Sequence, residues 1–413
     1  MYRYCFAVMI TLSALIFVSA EAGPSQTEVY YQHSHGLDPM GSASEKVFAK
    51  HSGDQSMGYG CDTDYQLRGM YLEQRKRLER ERLRGQDADS RFEVRHLTLN
   101  CLVGEWEVIT GKQQVTWGEA DFFRIIDVVN PLDLRENILA YIDDFEEGRV
   151  PLTMLNATRM LENGDVQLLI IPDVKAARLP SADSEFDPLA GIDPRPATKT
   201  PDSYQAESLS AGVRHRFVAG DDWDVGLYGY YGWEGTPQIT IGSDDMPTLR
   251  LFRKKLIGMS LATPIASWIA RMDIAWAPSS TIMTEEGLRG QTDKVSSLVG
   301  FDYSYASFST NVQFAQQRLF GGDAAKAVSS TLSEASLTLT KRLIADRLSL
   351  SNNTLAGSEN GYTGYLNQLS IGYRLTPLIR LDTAVIQYFG HKQSQFGQFE
   401  DNSRLSFKLS AMF

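Results

Sequence analysis

Residues 404–413 read RLSFKLSAMF, and these ten letters decide the fold. Leu405, Phe407, Leu409, Ala411 and Phe413 fall on one face of an extended ribbon. Arg404, Ser406, Lys408, Ser410 and Met412 fall on the other, because successive strand side chains point to opposite faces. One side is greasy, the other mostly wet, and the ribbon stops on an aromatic residue. Lipid against one face and a polar lumen against the other impose this pattern on outer-membrane barrel strands. A sheet with one solvated face alternates too, so the rest of the chain has to repeat the pattern.

It does so from about residue 206 onward. Leu209, Ala211, Val213 and Phe217 oppose Ser210, Gly212, Arg214 and Arg216; Val225, Leu227, Tyr231 and Trp233 oppose Asp224, Gly226 and Tyr230. Val299, Phe301, Tyr303 and Tyr305 form another apolar row, and Leu369, Ile371 and Tyr373 a further one. The cleanest case is Trp268, Ala270, Met272, Ile274 and Trp276, a row with an indole at each end. Eight steps of roughly 3.3 Å give about 26 Å of strand, or about 20 Å of depth at a ~40° tilt. That is close to the lipid-facing band of a barrel, with interface-seeking aromatics at its edges. Trp233, Trp268, Trp276, Tyr303, Tyr305, Tyr373 and Phe413 are therefore the expected lipid-interface girdle.

Composition excludes other classes. The 413 residues carry a net charge of −11 with a pI near 5.2 and a mean hydropathy of −0.25, which argues against nucleic acid as a partner, since that wants a basic face. Residues 1–22 have Arg3, an apolar stretch from Phe6 to Val18, and small residues around Ala20-Glu21-Ala22, the pattern of a secretory signal peptide. No later apolar run is long enough for a spanning helix. Cys61 and Cys101 could pair in an oxidising compartment, but two cysteines make no disulfide framework. Residues 23–64 lack clear periodicity and read as a flexible segment, and the mixed-charge run Arg75–Arg84 as a solvated loop or short helix.

The connections carry an independent signal. Joins near 104, 162–165, 219–222, 264–267, 306, 344–345 and 375–377 are short; those at 118–150, 173–205, 234–248, 279–293, 319–329, 357–361 and 390–401 are mostly longer and polar. Such alternation is that of periplasmic turns against extracellular loops, with the C-terminus on the periplasmic side. Counting back from the final strand gives fifteen strands from residue 91, and Tyr65, Leu67, Gly69 and Tyr71 supply one more. The fold expected is all-β: a transmembrane antiparallel barrel of about sixteen strands over residues 65–413, with fourteen also compatible.

The longest interruption, 118–150, is too apolar for a solvated loop. Phe122 to Val129 is followed by Asn130-Pro131, which looks like a helix start, and Leu134, Ile138 and Leu139 can share a helical face. An element facing neither lipid nor solvent folds into the barrel mouth. Its charges, Arg124, Asp127, Asp133, Arg135, Asp143, Asp144, Glu146, Glu147 and Arg149, are the candidate pore constriction, selecting by size and local field. The alternative is surface charge on an extracellular cap. The acidic run Asp143–Glu147 lacks the spacing of a calcium loop.

Several motifs resemble one family. They are Ser90–Arg95 (SRFEVR), Gly111–Asp121 (GKQQVTWGEAD), Asp127–Asp133 (DVVNPLD), Arg149–Leu152 (RVPL) and Leu169–Asp173 (LIIPD). Together they resemble an uncharacterised domain-of-unknown-function family of exported proteobacterial proteins. The resemblance covers roughly residues 90–180, with Lys175–Pro180 following the pattern only in part. It implies an outer-membrane barrel often encoded near RND-type exporters, and so an exporter system as a partner; it implies no catalytic residue.

These readings converge on a porin-like channel in the outer membrane, passing small, amphipathic or weakly polar solutes without a cofactor or a metal. Outer-membrane lipid surrounds it, and the assembly machinery reads Phe413. A gated or plugged barrel with a structural role is the alternative. A hydrolase on the same barrel is the third reading; it needs a nucleophile and base within reach, and His391 has Ser394 nearby in a loop but no acidic or amide orienter that can be placed, so it reads more easily as a loop residue.

Overall fold

A computed structural model describes residues 25–37, 43–58, 60–77, 83–139, 142, 145–182, 184–241, 246–284 and 289–413. Residues 1–22, read as a signal peptide, therefore lie outside the described residues, as do Asp143 and Asp144. The chain opens with strands β1 (Ser25–Gly36), β2 (Ala43–Gly58), β3 (Cys61–Arg77), β4 (Leu83–Val103) and β5 (Trp106–Gln113). After a long excursion come β6 (Leu152–Leu161), β7 (Gly164–Ile171), the short β8 (Ala197–Lys199), β9 (Ser210–Ala219) and β10 (Trp223–Trp233). Short strands β11 (Gln238–Ile241) and β12 (Pro247–Arg250) precede β13 (Arg253–Ile265), β14 (Trp268–Met283), β15 (Arg289–Tyr305) and β16 (Phe308–Phe320). The chain finishes with β17 (Thr331–Leu343), β18 (Leu348–Glu359), β19 (Tyr362–Arg374), β20 (Ile379–Gly390) and β21 (Arg404–Met412).

Eighteen of these strands form one sheet, each antiparallel to the next, closed where β1 pairs with β21. At the seam Thr27 and Phe413 exchange backbone hydrogen bonds of 2.9 and 2.8 Å. The remaining three, β8, β11 and β12, make a separate small sheet built from two long connections. Closure removes the exposed edges that an open sheet would carry into lipid.

The strand count corrects the expected sixteen to eighteen. All fifteen strands from residue 91 onward and the one at 65–71 are present; the two extra are β1 and β2, inside the segment read as flexible. They escape a periodicity reading because their inward faces carry Gln32, Ser34, Lys46 and Lys50, and His33 and Glu45 pair on the outward face. Polar residues on both sides blur the two-residue period. Another difference is the join of β18 to β19, expected among the longer ones. It is a tight Asn360-Gly361 turn, with φ of 52° and 80°, the positive values that a type I′ hairpin demands.

On β14 Trp268 and Trp276 are exposed on the outer face, whereas Asp273 and Ala275 between them are buried on the inner face. Trp268 stacks near Tyr303 with ring centroids 4.9 Å apart, and Tyr305, Tyr373 and Phe413 are exposed near the same end of the barrel. Trp233 sits at the opposite end; its Nε1 donates to the Ser208 carbonyl at 2.9 Å and the Arg253 guanidinium lies 4.1 Å over its ring. Cys61 and Cys101, directly opposed on β3 and β4, form a disulfide, which suits an oxidising compartment.

Candidate channel constriction

Inside the barrel the excursion between β5 and β6 folds inward. Val115, Trp117, Phe123, Ile125, Ile126 and Val129 are buried in one apolar cluster with wall residues such as Tyr228, Leu256, Ala275 and Leu298. Burying this many apolar side chains against a wall fixes the segment as a packed element instead of a solvated loop. The wall is shaped to receive it. A Cβ on Gly212 would meet the Trp117 ring at 2.6 Å, so β9 needs glycine there for the indole to lie flat.

Polar groups then lock the loop's geometry. Asn130, fully buried, accepts from the Val115 N–H at 2.8 Å and donates to the Val150 carbonyl at 3.0 Å, tying the two ends together. The expected helix start at Asn130-Pro131 is not where helical bonding begins. Leu132 bridges Arg149 and Asp133 bridges Arg178 in β fashion, and the first helical bond described runs from Ile142 N to Ile138 O at 3.0 Å. Pro131 has no N–H to give, but its carbonyl accepts from Val150 at 2.8 Å, and that pairing draws the chain extended.

The loop is fastened to two opposite walls. On the far side Asp273 of β14 accepts the backbone N–H groups of Glu119 and Ala120 at 3.0 to 3.2 Å. Asp121 reaches β16, accepting from Asn311 at 2.8 Å and Gln313 at 2.9 Å. Burial raises the carboxyl pKa of Asp121 and of Glu119. On the near side Lys46 of β2 donates to Glu136 at 2.7 Å, Lys50 lies 3.6 Å from Glu146, and Arg68 of β3 pairs with Glu147. Arg95 of β4 donates to the carbonyls of Glu146 and Arg149 at 2.5 and 2.8 Å.

The expected constriction charges are thus drawn into fastenings. Asp127 and Arg149 form a buried pair at 2.8 Å, joined by Arg124 at 3.4 Å. Asp133 is held by Arg135 at 2.6 Å and Arg178 at 3.2 Å, while Arg178 also grips Glu93 at 2.6 Å. Burial pushes the Asp133 carboxyl up, but the Arg135 hydrogen bond and the charges of Arg135, Arg178 and Arg68 outweigh it and leave the pKa far below the usual range. Glu147 is likewise raised by burial and lowered further by Arg68 and Arg95, with a net depression.

Two groups of residues were not legible as a site. The first is the basic row Lys46, Lys50, Arg68 and Arg95, half of it in the segment read as flexible. The second is the connection 172–209, which also crosses the lumen. Its Phe186 is buried against Tyr388 and Phe399, and Glu185 pairs with Arg404 of β21 at 2.5 Å. An apolar Phe-Asp-Pro-Leu stretch at 186–189 amid prolines was the available signal. His391 and Ser394 do not form a nucleophile and base: the Ser394 hydroxyl donates to the His391 carbonyl at 2.6 Å, and Nδ1 accepts from the Gln393 N–H at 3.2 Å.

One opening that the loops leave lies against β18 to β21 and β1. A cavity of about 300 Å³ is lined by Ser349, Ser351, Asn353, Gln368, Ser370, Arg380, Asp382, Ser406 and Lys408, with Ile142 of the loop among its walls. Arg380 and Asp382 pair at 2.8 Å. Lys408 makes no ion pair among the described residues and lies 4.0 Å from the Tyr30 ring centroid.

Comparison with known proteins adds the following. The family described as "Protein of unknown function (DUF1302)" matches residues 106–390. No curated protein matches. Among solved structures, OccAB2 of Acinetobacter baumannii is similar at a TM-score of 0.53 and 8% identity, over 94% of this chain and 97% of that one. OpdQ of Pseudomonas aeruginosa gives 0.52 at 9% identity, covering 94% and 97%, and OccK5 (OpdH) of the same organism 0.51 at 9%, covering 94% and 96%. At such identities the likeness is one of fold.

Proposed function

The chain belongs to the family described as protein of unknown function (DUF1302), and from that premise we propose that it is a narrow outer-membrane channel for small solutes. The observation that carries this reading is the polar cavity left between the docked 114–151 loop and the strands β18 to β21. A lumen lined by hydroxyls, amides, one ion pair and a lysine suits passage of small polar solutes. Phe123, Ile125 and Ile126 are packed into the wall cluster, so the apolar surface offered to a solute comes from residues such as Ile142, Ala384 and Ile386. We take residues 1–22 to direct export and Phe413 to present the closing strand to the assembly machinery. An RND-type exporter is the partner class suggested by the sequence resemblance.

The test is single-channel conductance of the purified, refolded barrel in a planar bilayer. Small discrete steps are expected from the intact chain, and larger ones when residues 122–141 are removed. A deletion that folds and conducts like the parent overturns the constriction. A folded parent that never conducts favours a second reading, a closed barrel with a structural role, for which the specific support is that both long connections are anchored on the opposite wall.

A further inference from the structure

The outer face of β18 and β19 carries polar side chains where lipid is expected. Asn353 and Gln368 line the cavity inside, so by strand alternation Asn352, Thr354 and Asn367 point outward. Thr354 pairs directly with Asn367, and Asn352 with Leu369. The three form a chain: the Thr354 hydroxyl donates to the Asn352 amide oxygen at 3.1 Å, and the Asn367 amide nitrogen donates to the Thr354 hydroxyl at 2.8 Å. Tyr373 and Tyr365 are exposed on β19, a residue type that seeks the two membrane edges, and Leu369 lies midway between them. Asn352, opposite Leu369, is therefore near the middle of the bilayer, about 13 Å of strand from either edge.

Hydrocarbon supplies no partner for an amide, and an unmet polar group there is costly. Within the described residues the Asn352 amide nitrogen and the Asn367 amide oxygen make no hydrogen bond. One is a donor and the other an acceptor, a pair that is complementary to itself. An isologous contact has this property: residue i of one copy meets residue j of the other, and j meets i. Leu369 and Ile371, both about half exposed, flank the polar row with apolar surface that excludes water.

We propose that the outer face of β18 and β19 is a contact between two copies of this chain, in which Asn352 of each barrel donates to Asn367 of the other. The occupant has to bring both a donor and an acceptor inside the membrane, two residues apart along the strand direction. A second copy carries both groups, whereas a lipid headgroup stays at the interface and an acyl chain has neither. This inference is independent of the channel reading, since a single barrel conducts or not irrespective of its neighbour.

The experiment is thiol cross-linking in native outer membranes. Cys61 and Cys101 are already joined, so a Leu369→Cys variant introduces a reactive thiol on the proposed face. A short bismaleimide is expected to give a species of twice the chain mass. Met272→Cys, on the lipid face of β14, is expected to give none. Adding Asn352→Leu and Asn367→Leu to Leu369→Cys is expected to lower the cross-linked fraction severalfold, while heat-modifiable migration shows the barrel still folded. Equal cross-linking at both positions, a folded but uncross-linked Leu369→Cys barrel, a product containing a different protein, or dimer that survives the double leucine change each overturns the proposal.

Discussion

Asp127 and Arg149 are only 5% and 6% exposed at their side chains, 2.8 Å apart. In a low-dielectric pocket, taking away one partner strands the other's charge, at a cost of about 3–5 kcal/mol. Asp127→Asn is accordingly expected to loosen the docked loop by that order while leaving the barrel assembled. Limited proteolysis of the folded protein checks it: new cleavage within 118–150 is expected, and the parental pattern would show the pair to be dispensable. Both residues stood out in the sequence as loop charges, yet their pairing did not, because it depends on Asn130 drawing Val115 and Val150 together. Asp273 shows the opposite case. It sits between Met272 and Ile274 in a row whose alternation is plain, so its inward aim was readable, but not that it would clasp two backbone amides of a segment some 150 residues away.

At the scale of the loop, the anchors on its two sides respond to acid in opposite directions. Asp133 and Glu147, with depressed pKa values, contribute stability that is complete above the usual carboxylate range near pH 4 and is lost as pH falls through the lower folded values. Asp121, raised by burial, is relieved by protonation, so its far-wall anchor on β16 does not weaken as pH falls. The loop is expected to leave β2–β4 first, seen as growing conductance noise below about pH 4. Glu147→Gln should bring part of that noise to neutral pH, and a quiet channel down to pH 3 in both proteins would sink this account. The inward fold of the loop was legible from Phe122–Val129, whose apolar run suits neither lipid nor solvent. The first two strands, β1 and β2, were not, since inward polar residues and an outward His33–Glu45 pair mask the two-residue period.

For the molecule as a whole, the fold follows from one rule repeated along most strands: a largely apolar outer row, and backbone groups paired around a closed ring. Met272 is outward at mid-height on β14, so Met272→Lys is expected to cost about 2–4 kcal/mol of barrel stability. Urea unfolding of the reconstituted protein measures it, and a variant as stable as the parent would mean that the face does not meet lipid. The seam sets a condition of another kind, one of timing. Gln26 and Met412, 386 positions apart in sequence, touch across it. Every other neighbouring pair can form as soon as its own stretch of chain is available; this one waits for the last residues to arrive. Until then the sheet has two open edges able to recruit any extended chain nearby. A chain that stops short of β21 is therefore expected to keep both edges open and to behave as an unfinished, sticky ribbon.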